Sequence, residues 1–398
     1  MFIPALLAVM FAGDFVWLFR CKRWLRHAGL RWKIGIGLFT AAQLAALVFT
    51  LVFRSWVNRL APAIATPLMA CLYLWHFLFI IPMMLLWLPA LLLKLAARIV
   101  MRMRRAPDAT STPRMSRRAF IRLAGCAAPA LGTLGVTGLA LAQLRHFRIR
   151  KMDAPIPELP AALDGLTIAH VTDLHVGQFT HGSILDEIVE ATNSLRADLV
   201  LSTGDLINFA LKDLPAGLSV MSRLRAAHGV FMCEGNHDLF ENAEEFRRRT
   251  RAAGVHLLVN ENAVVSIRGT PVQMLGLPWG SGTGHPHAEE NHGDSAIAKS
   301  MQRLLQQKEP GAFPIVLAHH PHAFDFAEGI PLTLAGHTHG GQLMVTGELG
   351  CGPMIYRYWS GLYRKAARTL IVSNGVGNWF PLRTAAPAEI LQLTLRRA

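Results

Sequence analysis

Leu166-Thr167-Ile168-Ala169-His170-Val171-Thr172-Asp173-Leu174-His175 opens as a buried strand and closes on two potential metal ligands. A short apolar run with β-branched residues, bounded by polar ones, predicts a strand covered on both faces. The same pattern recurs along the chain. Leu199–Thr203 ends in Gly204-Asp205, and Val230–Cys233 runs into Gly235-Asn236-His237-Asp238. Ile315–Ala318 ends in His319-His320-Pro321, and Leu332–Ala335 in Gly336-His337-Thr338-His339-Gly340. Val272–Leu277 is a further strand, and helices are predicted at Ser183–Leu195, Leu218–Ala227, Ala243–Ala253 and Ser295–Gln307. Strands alternating with helices mean an α/β layer fold. Thr369–Ser373 and Ile390–Leu395, strands without helices between them, add a sheet-on-sheet arrangement.

Loops at the carboxyl ends of strands in an open α/β sheet converge on one crevice. Asp173, His175, Asp205, Asn236, His237, Asp238, His319, His337 and His339 are therefore predicted to meet, although they span more than 160 positions. Carboxylate, imidazole and amide oxygen without thiolate suit hard-to-borderline divalent metals such as manganese, iron or zinc. Spacing of i, i+2 at an extended strand end would point Asp173 and His175 the same way, and likewise His337 and His339. The adjoining glycines permit tight turns and close backbone approach. Other hydrolytic schemes fit poorly: the chain has no G-x-S-x-G elbow, no phosphate-binding G-x-x-x-x-G-K-[ST] loop and no H-E-x-x-H helix.

The series D-x-H, G-D, G-N-H-D, H-x-P and G-H-x-H resembles that of the calcineurin-like metallophosphoesterases over about residues 163–396. Gly336-His337-Thr338-His339-Gly340-Gly341-Gln342, Ser373–Gly377 and Pro387-Ala388-Glu389 are similar to the bacterial membrane-associated phosphodiesterase branch. The resemblance implies a four-layer αββα sandwich. It implies that Asp173, His175 and His339 hold one metal, that Asn236, His319 and His337 hold another, and that Asp205 bridges them. His237 would act as acid or phosphate anchor, with Asp238 orienting it, and His320 would not be a ligand. Where purple acid phosphatases carry a tyrosine, Asn208 stands here, so a tyrosinate-iron site is not implied. Two divalent ions about 3.5–4 Å apart lower the pKa of a shared water, supply hydroxide and clamp phosphoryl oxygens.

The first 150 residues read differently, as an all-α transmembrane region ahead of a metallophosphoesterase domain at 151–398. Phe2–Phe19, Ile34–Phe53 and Pro67–Leu93 are apolar runs near or above the roughly 18–20 residues that cross a bilayer as a helix. Pro82 and Pro89 should kink the third. Ala119–Leu144, interrupted by Gly125, Gly132, Gly135 and Gly138, is a span or a signal-like segment. Met1–Lys151 carries 21 Lys+Arg against two acids, giving +19, while Met152–Ala398 carries 19 against 24, giving −5. A nucleic-acid footprint would put the positive charge on the folded domain, so no nucleic-acid binding is expected. Lys/Arg-rich loops at Arg20–Lys33 and Lys94–Arg122 read as cytoplasmic. The catalytic domain is then extracytoplasmic, on a multi-pass protein of the inner membrane. Ser116-Arg117-Arg118-Ala119-Phe120-Ile121-Arg122 resembles a twin-arginine export signal, with Ala140-Leu141-Ala142 as a cleavage site. Asp153–Pro160, with three prolines, reads as a stiff linker.

The expected activity is metal-dependent hydrolysis of phosphodiester or pyrophosphate bonds on an envelope lipid or lipid-linked intermediate. The alternatives are a phosphomonoesterase for soluble extracytoplasmic compounds and a membrane sensor with an idle metal site. His285, His287 and His292, with nearby acids, form a polar insertion expected to be a solvated loop. Arg247, Arg248, Arg249 and Arg251 are expected to form a solvated helix face. Asp14 and His76 are ionisable residues inside apolar runs, which makes them functional candidates. Five scattered cysteines imply no zinc ribbon or disulfide framework, and Cys233 with Cys351 is the one pairing open beyond the apolar half.

Overall fold

The structure, a computed structural model, describes residues 2–52, 62–86, 117–279 and 293–398. The polar insertion at 285–292 and most of the Lys94–Arg122 loop lie outside them. Two compact units are formed, Met1–Ala142 and Gln143–Ala398.

The first unit is helical: α1 (Phe2–Trp24), α2 (Leu30–Val52), α3 (Pro62–Leu74) and α4 (Arg117–Gln143). Among the described residues, three segments are long and apolar enough to cross a membrane, Leu30–Thr50, Ala63–Leu86 and Phe120–Gln143. α3 continues into a π-helical turn at Trp75–Ile80. This irregularity directly precedes Pro82, which can give no N–H to the preceding turn. The glycine-rich run is one unbroken helix despite Pro129, whose carbonyl accepts from Thr133 Oγ1 at 2.9 Å.

Asp14 and His76, singled out separately in the sequence, meet inside this unit. His76 Nε2 lies 3.1 Å from Asp14 Oδ2, and Trp75 Nε1 donates to Asp14 Oδ1 at 2.8 Å. All three residues are fully buried. Each carboxylate oxygen thus has a partner, and the pair ties α1 to the π-helical turn. Breaking such a buried pair from one side typically costs about 3–5 kcal/mol, because the remaining polar group keeps its desolvation penalty. Asp14→Ala should therefore lower the thermal midpoint of the protein in detergent, whereas exposed Arg31→Ala should not.

Among its described residues the second unit contains twelve strands: β1 (Arg148–Ile156), β2 (Thr167–His170), β3 (Leu199–Ser202), β4 (Val230–Met232), β5 (His256–Leu257), β6 (Glu261–Ile267), β7 (Thr270–Gly276), β8 (Phe313–Leu317), β9 (Leu332–Ala335), β10 (Gly361–Lys365), β11 (Arg368–Val372) and β12 (Glu389–Arg397). They form two six-stranded sheets, ordered β1-β12-β2-β3-β4-β5 and β10-β11-β9-β8-β7-β6. Ile168, Leu201 and Leu393 of the first sheet share one buried cluster with Met274, Ile315 and Leu334 of the second, so the sheets pack face to face. The other face of the first sheet is covered by α5 (Ser183–Ser194), α6 (Leu214–Arg223) and α7 (Ala243–Ala252) through Ile188, Val220 and Phe246. α8 (Gly293–Leu305) covers the second through Met301 and Leu304. The result is the expected αββα sandwich.

Asp153–Pro160 is a correction. Its first half belongs to β1, which pairs in parallel with β12 from Arg148–Glu389 to Ile156–Arg397. β1 is an edge strand, where Pro155 removes no ladder bond from a central position. Cys233 and Cys351 are both free thiols.

Candidate metal centre

β2, β3, β4, β8 and β9 carry the loops read from the sequence, and these loops converge. Asp173, His175 and His339 offer ligand atoms within 4.8 Å of one another, as do Asp205, His319 and His337. Asp205 links the two groups: its Oδ2 lies 3.4 Å from His175 Nε2 and 3.1 Å from His319 Nε2. Asn236 Oδ1 is 3.1 Å from His319 Nε2. His320 belongs to neither group and stacks on Trp279 with ring centroids 5.4 Å apart.

The side chains converge by a different route from the expected one. Asp173 and His175 lie beyond the end of β2, and neither is extended. Asp173 (φ 54°), His175 (φ 45°), Asp205 (φ 53°), His337 (φ 71°) and His339 (φ 49°) all occupy the left-handed region. Non-glycine residues there cost energy and persist only where the surroundings impose them, a pattern concentrated at functional sites. Two glycines are required by close approach. A Cβ on Gly235 would stand 2.1 Å from Asp205 Oδ1, and one on Gly336 would stand 2.1 Å from Asp173 Oδ2.

The donor set fits a cation better than it fits itself. His175 Nε2 and His339 Nε2 face each other at 2.9 Å, and His337 Nδ1 and His319 Nε2 at 3.2 Å. Asp173 Oδ2 and His175 Nδ1 are buried with no hydrogen-bond partner. Buried polar atoms normally have partners, so an orphaned carboxylate oxygen on Asp173 suits a cation. Burial pushes the Asp173 carboxyl up to about 6, against the opposing charge of His319. Burial also acts upward on Asp205, yet the surrounding His319, His237 and His175 hold it well below the usual carboxylate range. The Asp205 and Asp173 carboxylates outweigh burial at His319 and raise it to about 9. At His337, burial and the charge of His319 lower the value to about 3.

His237 and Asp238 have distinct surroundings. The His237 ring is held by Asn208, whose carbonyl accepts from Nδ1 at 2.6 Å. Its backbone N–H donates to Asp205 Oδ1 at 2.9 Å. Asp238 does not touch that ring. Its carboxylate accepts from the backbone N–H groups of Asp205, Gly235 and Ile207 at 2.9, 2.9 and 3.1 Å. Neighbours on a short 3₁₀ turn, Asp238 and His237 hold different partners, and Asp238 splints the Asp205 loop to the Asn236 loop.

Sequence reasoning missed three supports. Arg383 is buried, lies 2.7 Å from His339 Nδ1 through Nη2, and donates from Nη1 to the Asn374 carbonyl at 2.7 Å. Burial lowers its guanidinium to about 10. Arg247, expected on a solvated face, instead forks onto fully buried Glu234 with two 2.7 Å bonds, beside Gly235 and Asn236. Glu389 accepts from Arg148 at 2.8 Å and from the Asn374 N–H at 3.3 Å. A guanidinium can only donate, so Arg383 fixes the orientation of the His339 ring through Nδ1.

Comparison with known proteins agrees with this geometry. The family model described as calcineurin-like phosphoesterase matches residues 166–341. A metallophosphoesterase of Helicobacter pylori is 30% identical over 60% of this chain and 63% of its own length. Phosphodiesterase YaeI of Escherichia coli is 30% identical over 57% of this chain and 81% of its own. A bovine protein named transmembrane protein with metallophosphoesterase domain is 27% identical over 68% and 63%. The chain spans just under two thirds of the length of the Helicobacter and Campylobacter relatives. The matched region begins at the strand leading to Asp173 and ends just past His339, so it encloses every residue of the converging set, and the chain belongs to the calcineurin-like phosphoesterase family.

Proposed function

We propose that the second unit is a two-metal hydrolase of phosphodiester or pyrophosphate bonds, carried on a membrane anchor. The observation that carries this is Asp205: one buried carboxylate within 3.4 Å of imidazoles from two separate donor groups. Asp173, His175 and His339 would hold one cation, Asn236, His319 and His337 the other, with Asp205 between them. When bound, such a pair supplies Lewis acidity to a phosphoryl oxygen and lowers the pKa of a shared water. The chain's own residues do the rest. Asp205 offsets part of the cationic charge, and Asn236 contributes an oxygen without adding negative charge. His237 presents Nε2 to the phosphoryl or leaving oxygen, because Asn208 O can only accept and so keeps a proton on Nδ1. Phe240 and Trp379, with ring centroids 4.6 and 6.4 Å from His237, flank that position.

The test is hydrolysis of bis(p-nitrophenyl) phosphate by the full chain in detergent, stripped with chelator and then given manganese or zinc. Restored turnover with two ions per chain supports the reading. Two bound ions without turnover on diesters, pyrophosphates or monoesters would favour the idle-site sensor. Turnover confined to monoesters would favour the phosphomonoesterase.

The anchor sets location. With Lys/Arg-rich loops inside, α4 delivers the second unit to the outer side of the inner membrane, and Arg117 and Arg118, the twin-arginine-like pair, open it. A reporter after residue 110 should behave as cytoplasmic and one after residue 398 as external. The reverse pattern would overturn the charge argument.

A further inference from the structure

Most apolar side chains of the second unit are buried, and the exceptions are concentrated. Among its described residues, the four most exposed large hydrophobics are Met354 (83%), Val345 (75%), Ile355 (67%) and Leu349 (60%). All four fall within eleven residues of one flap. Scattered exposed apolar residues are ordinary, but a contiguous apolar projection marks an interaction surface.

The flap is braced at its base. Met344 N–H donates to Thr384 O at 2.9 Å, Cys351 N–H to Leu343 O at 3.0 Å, and Trp359 Nε1 to Gly347 O at 3.3 Å. Val345 and Leu349 occupy its turn, and Met354 and Ile355 end the short helix α9 (Cys351–Ile355). The next residue, Tyr356, has its ring 6.1 Å from that of His337, so the flap adjoins the metal centre. A cavity of about 790 Å³ lies beside it, lined by Gly347 and Glu348 of the flap, by Arg148 and Arg150, and by Trp359 and Tyr363. Arg148 and Arg150 share the single carboxylate of Glu389. Arg357 and Lys365, both more than half exposed, likewise share Asp325.

We propose that this flap is a membrane-contact element: Val345, Leu349, Met354 and Ile355 enter the acyl boundary of an anionic bilayer, and the neighbouring arginines take its phosphate headgroups. Two observations select a bilayer over a protein partner. The apolar tip is flanked by four cations, Arg148, Arg150, Arg357 and Lys365, against three carboxylates, Glu389, Asp325 and Glu348 of the flap itself, and cations beside an apolar face are how interfacial elements bind anionic lipid. Among its described residues the same chain carries three helices long and apolar enough to span a membrane, and such an anchor would keep a bilayer at high effective concentration. The inference goes beyond the hydrolase reading and does not depend on turnover.

The test places a polarity-sensitive fluorophore at Met354→Cys in the full chain, with partly exposed Cys71 and Cys351 changed to Ala. The remaining cysteines, Cys21, Cys126 and Cys233, are buried. Glu309→Cys, an exposed position beyond α8, is the control. In vesicles containing phosphatidylglycerol, the Met354 label should shift to the blue and be quenched several-fold by acyl-chain nitroxide lipids. The control label should do neither. Arg357→Glu with Lys365→Glu should reduce the quenching, and so should replacing phosphatidylglycerol with phosphatidylcholine. A Met354 label as solvent-accessible as the control would overturn the proposal. So would a blue shift that follows protein density but not lipid quencher, which would assign the flap to contact with a second copy. Circular dichroism of each labelled protein separates these outcomes from misfolding.

Discussion

Asp205→Asn is expected to lower phosphodiester turnover by roughly 10³-fold or more while leaving the sandwich folded. The change is nearly isosteric. The Asn oxygen can still accept from the His237 N–H, which now donates to Asp205 Oδ1 at 2.9 Å. The other terminus changes in kind. Oδ2, 3.1 Å from His319 and 3.4 Å from His175, becomes an NH₂ group with no lone pair for a cation. One negative charge is also lost from a fully enclosed site, where each charge is weakly screened. At least one of two ions should be lost, and losing several kcal/mol of charge stabilisation corresponds to the stated factor. Metal content by elemental analysis and turnover of bis(p-nitrophenyl) phosphate check this together. A variant that keeps two ions and near-normal turnover would remove Asp205 from the bridging position. Lost helicity in the same sample would make it a folding variant instead.

What could be read ahead of the structure followed from how strongly each residue's neighbours constrain it. β2, β3, β8 and β9 are covered on both faces, so their apolar runs are continuous and legible. β6 and β10 were not foreseen, because partial exposure breaks their runs. β1 was hidden by Pro155, which reads as a breaker until the strand is known to lie at an edge. The ligand set was legible because carboxylates and imidazoles after buried strands have few other uses. The turns that aim them were not: Asp and His are enriched in the left-handed region, yet most of them still avoid it, so residue type alone does not mark these turns. Arg383 was invisible for a related reason. It lies 44 residues past His339 in a loop, and only the folded chain reveals that it lies against that imidazole.

His237→Ala is expected to retain both ions and lower turnover by roughly 10²–10⁴-fold, the usual range for a lost proton donor or acceptor at the reacting group. The prediction discriminates because the geometry allows a rival. His237 stands with His175 and Asp205 in a third group whose ligand atoms lie within 4.8 Å. Position alone does not separate it from the ligands. Its Nδ1 is committed to Asn208 O at 2.6 Å, as His319 Nδ1 is to Thr203 O at 2.7 Å, and it is partly exposed, as is His337. Metal content therefore decides which role His237 plays, and turnover decides whether the role matters. Loss of one ion in step with activity would move His237 into the ligand set and leave the leaving oxygen without an assigned donor. Two ions with turnover near wild type would reject its part in the chemistry. Full metal content with slow turnover of bis(p-nitrophenyl) phosphate would fit a donor at the leaving group. In that case a diester with a more acidic leaving group should be less affected by the substitution, since a better leaving group needs less help from a proton.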